Sequence, residues 1–382
     1  MRIALVHSYY TGKNTSGENL VVDAQAAALA RAGHEVRIFS RSTDQEAAGQ
    51  SLYPVRAAYR TVTGRGPDPT PMLAAFAPDI VHIHNVVPNI GVDWVKRWPG
   101  PIVHTIHNYR PLCSNANLFR DGEKCTQCPD GKPLSGIVHG CYLNSRVKSI
   151  PITVRNALGV EHNTLLQRAD ALIVLSELQR DILARYGVDV AKMVVIPNGL
   201  PEGPGEGYVS LDPPADERWL TVGRLSAEKG IKELIEIWPA GVPLDVYGDG
   251  PEREEIAANA PAVVEFKGQV PNEELRALLP GYTGMVFPSR CYETQGMAVV
   301  EAFAAGVPVV ARAGSASAEI VAGVDPGWVY EGDRTEVLRS AMSAILVLEG
   351  EARTKAYGAF ECGFATGSWL AGLMRVYSRA VG

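Results

Sequence analysis

The sequence predicts an α/β protein built from two Rossmann-like domains, each with a parallel sheet. Its 382 residues exceed the usual size of one domain, about 150 residues. Short apolar runs alternate with amphipathic stretches, and the alternation repeats after a segment rich in proline and glycine. With 46% apolar and 20% charged residues the composition is that of a folded protein. We therefore expect two cores, each a sheet covered by helices.

The first half begins with a continuous apolar run, Arg2–His7, as expected for a strand buried on both faces. Residues 18–32 then have helical spacing and end at Gly33, a typical C-cap. Further strands are predicted at 35–40, 79–84, 102–106, 171–176 and 193–197. This order predicts a parallel sheet that binds ligands at the carboxyl ends of its strands.

The second half repeats the pattern, with helices predicted from Ser226 and from Pro251. Its strands are predicted at 218–222, 244–247, 263–267, 284–288, 307–311 and 328–330. Between the halves, at 197–214, prolines and glycines cluster and the charge balance changes from +5 to −11. We expect one domain from residues 1–197 with a returning helix at 367–382, a second from residues 198–366, and a cleft between them.

Composition excludes several classes of protein. The net charge of −6 argues against a nucleic-acid partner, and no apolar run of about 18 residues could span a bilayer. The N-terminus lacks a signal peptide, and six cysteines do not form a disulfide scaffold, so we expect a cytoplasmic protein. Peripheral contact with a membrane stays open. No G-x-G-x-x-G motif follows the first strand, which argues against a Rossmann dehydrogenase.

The most informative stretch runs from Phe287 to Glu301. A strand ends, a polar loop follows, and an apolar helix begins near Gly296, so the helix N-terminus is predicted to bind a phosphate. Glu293 precedes this helix and Glu301 lies two turns into it, so the two carboxylates would reach different groups. A capping and a solvated glutamate are the alternative, but the apolar surroundings of Glu301 argue against it.

A second stretch, Thr221–Gly230, carries two cations at the end of a strand. Arg224 offers bidentate geometry and Lys229 a point charge, both suited to phosphate. A lysine in a first helical turn opposes the helix dipole, and a bound anion would offset this. Two surface cations are the alternative.

Together these segments resemble the retaining nucleotide-sugar glycosyltransferases of family 4, which have the GT-B fold, and the resemblance covers essentially the whole chain. It rests on Gly223-Arg224 with Lys229-Gly230, on Pro197-Asn198-Gly199, and on Glu293 with Glu301. The resemblance implies that Arg224 and Lys229 bind the donor's diphosphate, Glu293 the sugar and Glu301 the ribose. It also implies catalysis without a metal cofactor.

The resemblance implies further donor contacts. Backbone at Val270, in the segment that ends at Leu275, would read the base. The other predicted donor residues surround the helix start: Thr294, Gln295, Gly296, Met297 and Ala298. In the first domain, Ser16-Gly17-Glu18 corresponds to the family's glycine-rich loop, although one glycine stands where the family often has two. His107 matches a histidine that contacts the donor sugar, and a structural histidine is the alternative.

Four cysteines, Cys113, Cys125, Cys128 and Cys141, lie in a polar loop, 111–145. Their C-x11-C-x2-C-x12-C spacing is similar to that of a zinc ribbon and predicts a structural zinc. Two disulfides or four free thiols are the alternatives, and His139 could replace one ligand.

The sequence therefore predicts a retaining transferase that moves a hexose from a nucleoside diphosphate sugar, with UDP favoured, to a hydroxyl acceptor. The predicted catalytic residues are His107, Arg224, Lys229 and Glu293. The acceptor could be a natural product, a glycan or a glycolipid precursor. A sugar-nucleotide epimerase of the same fold and a non-catalytic sugar-nucleotide binding protein are the alternatives.

Overall fold

The computed structural model describes residues 1–10, 17–200 and 209–382, which form two compact units. The first unit contains Met1–Leu118, Cys125–Pro197 and Trp369–Gly382. The second contains Phe119–Lys124 and Asn198–Ser368. Ser16 and residues 201–208 of the predicted linker lie outside the described residues.

The strands of the described chain are numbered in order. They are β1 Arg2–Tyr9, β2 Glu35–Ser42, β3 Ile80–Ile83, β4 Ile102–Thr105, β5 Phe119–Arg120, β6 Glu123–Lys124, β7 Ala171–Val174, β8 Met193–Val195, β9 Trp219–Val222, β10 Leu244–Tyr247, β11 Val264–Gly268, β12 Gly284–Phe287, β13 Val309–Arg312 and β14 Val329–Tyr330.

The α-helices are numbered in the same way. They are α1 Gly17–Arg31, α2 Thr43–Ala47, α3 Tyr53–Thr63, α4 Thr70–Phe76, α5 Ser135–Val138, α6 Arg146–Asn156, α7 Thr164–Arg168, α8 Glu177–Arg185, α9 Ile231–Glu236, α10 Arg253–Asn259, α11 Asn272–Leu278, α12 Met297–Ala304, α13 Ala316–Ala322, α14 Thr335–Leu348, α15 Gly350–Gly363 and α16 Thr366–Val381.

Each unit contains a parallel sheet of six strands, and this confirms the predicted α/β class. The first sheet has the order β2-β1-β3-β4-β7-β8, and the second has the order β11-β10-β9-β12-β13-β14. Strands β5 and β6 form a separate antiparallel hairpin. The strand order reverses between β1 and β3 in the first sheet and between β9 and β12 in the second. Ligands of open α/β sheets bind at the carboxyl ends of the strands beside such reversals.

The last helix, α16, packs in the core of the first unit. Its buried face includes Trp369, Leu373 and Tyr377, which join the apolar cluster that contains Ile3 and Leu5 of β1. Burial of large apolar side chains is the main favourable term in folding, so this helix stabilises the first sheet.

Two helix starts differ from the sequence-based expectation. Ser226 precedes a short 3-10 turn, Ala227–Lys229, and the α-helix starts only after Gly230. The Ser226 hydroxyl donates to Glu228 rather than capping a backbone N–H. Helix α10 begins at Arg253, two residues after Pro251. Lys229 is therefore not in the first turn of an α-helix, so the dipole argument for a bound phosphate does not hold there.

Among the described residues, no helix has both the length and the apolar character to cross a bilayer.

Candidate functional site

In the second unit, the predicted cation and carboxylate meet beside the strand reversal. The loop after β9 carries Lys229, the loop after β12 carries Glu293, and their Nζ and Oε1 atoms are 2.6 Å apart. The Lys229 side chain is 29% exposed and that of Glu293 is 14% exposed. The two strands are direct neighbours in the sheet, which explains why residues so distant in sequence come together.

The pair is charged, although it is largely buried. Burial alone would lower the pKa of Lys229, but the nearby Glu293 carboxylate raises it above its ordinary value. Burial alone would raise the pKa of Glu293, but the Lys229 ammonium and hydrogen bonds lower it. A fixed pair of opposite charges thus occupies the carboxyl end of the sheet.

The backbone around Glu293 is tightly constrained. Glu293 has a φ of 48°, in the left-handed region that non-glycine residues rarely adopt, and Ser289 Oγ donates to its Oε1 at 2.7 Å. A Cβ added to Gly230 would lie 2.4 Å from the carbonyl oxygen of Pro288, so the two loops require a glycine where they touch. Strained backbone held by its surroundings is common at functional sites.

Helix α12 begins immediately after this loop, as predicted. The N–H groups of Met297 and Ala298 open its first turn and have no acceptor within the helix. Gly296 has a φ of 83°, and an added Cβ would lie 2.1 Å from Ser317 Oγ. Only glycine fits here, and the resulting close approach is suited to an anion at the helix N-terminus.

Thr294 and Gln295 occupy the turn before α12, but Gln295 already has partners. Its side chain donates to the carbonyl of Asn198 at 2.8 Å and accepts from the N–H of Asn198 at 2.7 Å. Gln295 is buried, so its side chain holds the Pro197-Asn198-Gly199 segment in place. A direct donor contact from this side chain has no support in the geometry.

Glu301 also has protein partners. Its Oε1 accepts from Arg276 Nη2 at 2.9 Å and from Asn272 Nδ2 at 3.3 Å. Glu301 therefore does not need a ligand to offset its burial, because Arg276 already does so. Its proposed ribose contact remains a prediction. Val270 is half-buried and Leu275 is buried in the core, and their donor contacts remain predictions.

Arg224 differs from the other predicted charges. Its side chain is exposed at the end of β9 and makes no ion pair or hydrogen bond among the described residues. Such a cation needs no rearrangement to receive an anion.

In the first unit, His107 belongs to a cluster of histidines at the carboxyl edge of the sheet. His107 Nε2 and His84 Nδ1 share a hydrogen bond of 2.8 Å, and their rings stack with centroids 5.1 Å apart. The His82 ring also stacks on that of His84, with their centroids 4.3 Å apart. No functional role was predicted for His82 or His84. Their alternation at the end of a strand adjacent to β4 was the signal that could have linked His84 to His107.

Burial keeps these histidines uncharged at neutral pH. It lowers the pKa of His107 to about 3 and that of His104 to about 4, and it lowers the pKa of His84 well below its ordinary value. Neutral imidazoles can donate and accept hydrogen bonds without competing electrostatically with other cations.

Gly17 is the first residue of α1 and is exposed, so the described part of the predicted glycine-rich loop is a helix start. The next residue, Glu18, has an unusual carboxyl group. Burial raises its pKa to about 7, and the positive charge of Arg110 counteracts part of this shift.

Among the described residues, none of the four clustered cysteines is joined to another by a disulfide bond. Within the described ranges, no group of three or more His, Cys, Asp or Glu side chains is arranged to hold a metal ion. The geometry therefore does not support the predicted zinc. The thiols are nevertheless close enough to interact, since burial and then the neighbouring Cys113 and Cys141 raise the pKa of Cys128 to about 11.

Comparison with known proteins decides the family. Residues 15–202 match the sequence model of glycosyltransferase family 4, and residues 216–347 match that of the glycosyl transferases group 1. The chain belongs to this family of glycosyltransferases. It is thus an enzyme, as the sequence motifs predicted.

A named relative can be aligned with this chain over most of its length. The glycogen synthase of Mycobacterium tuberculosis is 24% identical over 335 residues, which cover 81% of this glycosyltransferase and 77% of the relative.

Solved structures share the fold. The sucrose-phosphate synthase of Thermosynechococcus elongatus aligns with a TM-score of 0.68 at 20% identity, over 99% of this chain and 98% of that one. Anabaena HepE, solved in complex with UDP, aligns with a TM-score of 0.63 at 15% identity, over 99% of this chain and all of that one. These likenesses confirm the GT-B type of fold.

Proposed function

We propose that this glycosyltransferase moves a hexose, with retention of configuration, from a UDP-sugar to a hydroxyl acceptor. The main support is structural: Lys229, Glu293 and the N-terminus of α12 lie together at the strand reversal of the second sheet. The UDP donor is supported by the structure of HepE, which contains UDP.

The donor's diphosphate would bind Arg224, Lys229 and the free N–H groups of Met297 and Ala298. Negative charge develops on the diphosphate as the glycosidic bond breaks, and preorganised donors and cations lower the barrier most where such charge forms. Glu293 would hold the sugar hydroxyls, which positions the anomeric carbon. Glu301, held by Arg276, would bind the ribose.

His107 would contact the donor sugar. Its pKa of about 3 means that it acts as a neutral hydrogen-bonding group rather than as an acid at neutral pH. No protein nucleophile is assigned: the departing phosphate takes the acceptor's proton as the acceptor attacks from the same face.

The test is a screen of the purified protein against nucleotide sugars, first for binding and then for turnover with acceptor pools, read by mass spectrometry. Transfer to an acceptor, with the anomeric configuration of the product established by NMR, would support the proposal. An epimerase would release UDP and a free epimerised sugar without any acceptor. Binding without turnover under any condition would favour a sugar-nucleotide binding protein.

A further inference from the structure

A small cavity opens among the histidines of the first unit. Its volume is about 60 Å³, several times the space that one bound water requires. The side chains that decide its chemistry are Glu18, His84, His107, Arg110 and Arg155. The cavity is too small for a whole sugar but large enough for one substituent of a sugar.

The cavity has an excess of positive charge. Arg155 makes no hydrogen bond or ion pair through its side chain with any described residue, and burial together with the charge of Arg110 lowers its pKa. Arg110 packs against the ring of Tyr142, 5.5 Å from its centroid, and Glu18 is the one acidic residue among the described residues that line the cavity. Two guanidinium groups held together without a matching pair of carboxylates are costly unless an anion joins them.

The two arginines are held in place by the fold. Arg155 lies near the end of α6, and the neighbouring Asn156 donates through Nδ2 to the carbonyl oxygen of Arg110 at 2.7 Å. The helix therefore fixes the backbone that carries Arg155 and the loop that carries Arg110. Guanidinium groups bind oxyanions with charge-assisted hydrogen bonds.

A second observation indicates a ligand in the same cavity. Nε2 of His84 is buried and has no hydrogen-bond partner among the described residues, while its Nδ1 is bonded to His107. His84 is 2% exposed. Buried polar atoms are nearly always satisfied, and the His84 side chain lines the cavity, so this unpartnered nitrogen indicates a missing partner.

We infer that this cavity binds an anionic substituent of the acceptor, a phosphate or a carboxylate, through Arg110 and Arg155. The inference rests on the proposed function, because it assigns the cavity to the acceptor. An oxyanion would accept from both guanidinium groups and from His84. The enzyme would then prefer charged acceptors to their neutral counterparts.

Binding is tested with sulfate and with glucuronate, by calorimetry on the full chain with saturating UDP present to occupy the donor site. The variants are Arg155→Gln and, as the matched control, Arg146→Gln, which removes an exposed arginine from the same helix. We expect Arg155→Gln to weaken the binding of both anions at least about tenfold, as for loss of one charge-assisted hydrogen bond, and Arg146→Gln to leave it unchanged. Absence of anion binding to the wild type, or equal binding to Arg155→Gln, would overturn the inference.

Activity measurements distinguish a phosphate from a carboxylate as the bound anion, and they distinguish this inference from the proposed transferase function. With UDP-glucose as donor, glucose 6-phosphate, glucuronate and glucose are compared as acceptors, read by UDP release and product mass. A preference for glucose 6-phosphate or for glucuronate identifies the anion. A preference for glucose that Arg155→Gln leaves unchanged contradicts the inference, while the transferase function stands. UDP binding is measured separately on both variants, and its absence from the wild type would count against the proposed function alone.

Discussion

The Nζ atom of Lys229 lies 2.6 Å from Oε1 of Glu293. The residue predicted to bind the diphosphate and the residue predicted to bind the sugar therefore form an ion pair with each other. Their loops follow β9 and β12, two strands that pair directly. A bound donor would therefore meet charges that are already ordered, since Ser289 also donates to the carboxylate. Preorganisation of this kind reduces the reorganisation that the reaction would otherwise need.

Lys229→Ala and Arg224→Ala should both slow transfer, each by about 2–4 kcal/mol of transition-state stabilisation, because each removes a charge from the proposed diphosphate site. Steady-state kinetics measure this loss as kcat/KM. Wild-type turnover in either folded variant would show that the diphosphate assignment is wrong.

Thermal unfolding should distinguish the same two variants. Lys229→Ala leaves the carboxylate of Glu293 buried without its cation and should lower the melting temperature. Arg224→Ala removes an exposed side chain and should not. The double variant Lys229→Ala/Glu293→Ala should recover part of the lost stability. If the double variant is no more stable than Lys229→Ala, the unpaired Glu293 carboxylate is not the cause of the lost stability.

Glu293→Ala and Glu301→Ala should fail in different ways. Glu301 lies on the proposed nucleotide side, so its loss should weaken binding of free UDP and raise KM more than it lowers kcat. Glu293 lies on the proposed sugar side, so its loss should spare UDP binding and lower kcat. Calorimetry with UDP, beside steady-state kinetics, provides the contrast. The reverse pattern would mean that the ligand lies along α12 in the opposite direction.

Gly296→Ala should destabilise the protein and weaken donor binding. The substitution places a Cβ 2.1 Å from Ser317 Oγ at a φ of 83°, so the start of α12 has to move. Gly281→Ala is the matched control, since an added Cβ there meets nothing within 4 Å. Urea unfolding and UDP calorimetry measure the two effects. Equal behaviour of the two variants would show that the helix start tolerates a side chain.

Sulfate affinity should fall as pH rises through about 7 and should become independent of pH in Glu18→Gln. The charged and titratable groups that line the cavity are Glu18, His84, His104, His107, Arg110 and Arg155. Burial holds the pKa values of the three histidines well below 7, so they stay uncharged, whereas Glu18, with a pKa of about 7, changes charge in this window. A carboxylate that becomes negative repels an anion. Calorimetric titrations between pH 6 and pH 8 would test this, and an unchanged slope in Glu18→Gln would contradict it.

The cysteine spacing predicts one structural zinc per chain, although the described geometry does not support it. Elemental analysis of protein purified without added metal is the measurement, with thiol titration beside it. One equivalent of zinc that protects the thiols of Cys113, Cys125, Cys128 and Cys141 would bear out the spacing. A metal-free protein in which all four react freely would end the assignment.

The sequence alone determined the two sheets, their strands and the family, because these depend on local patterns. Apolar runs of strand length and the glycines that precede or end helices are visible in any one stretch of the chain. The start of α12 next to Gly296 was predicted in this way, and so was the returning helix now seen as α16.

Only the tertiary structure decided which side chains contact each other. Three contacts join residues that are 23 or more positions apart in the sequence: Lys229 with Glu293, Glu301 with Arg276, and His107 with His84. Sequence spacing alone does not predict contacts between such distant residues. The same limit applies to the cavity of the first unit, since Glu18, Arg110 and Arg155 come from three separate segments. Local patterns determine the elements of this fold. The order of strands in each sheet decides which charges at their carboxyl ends meet.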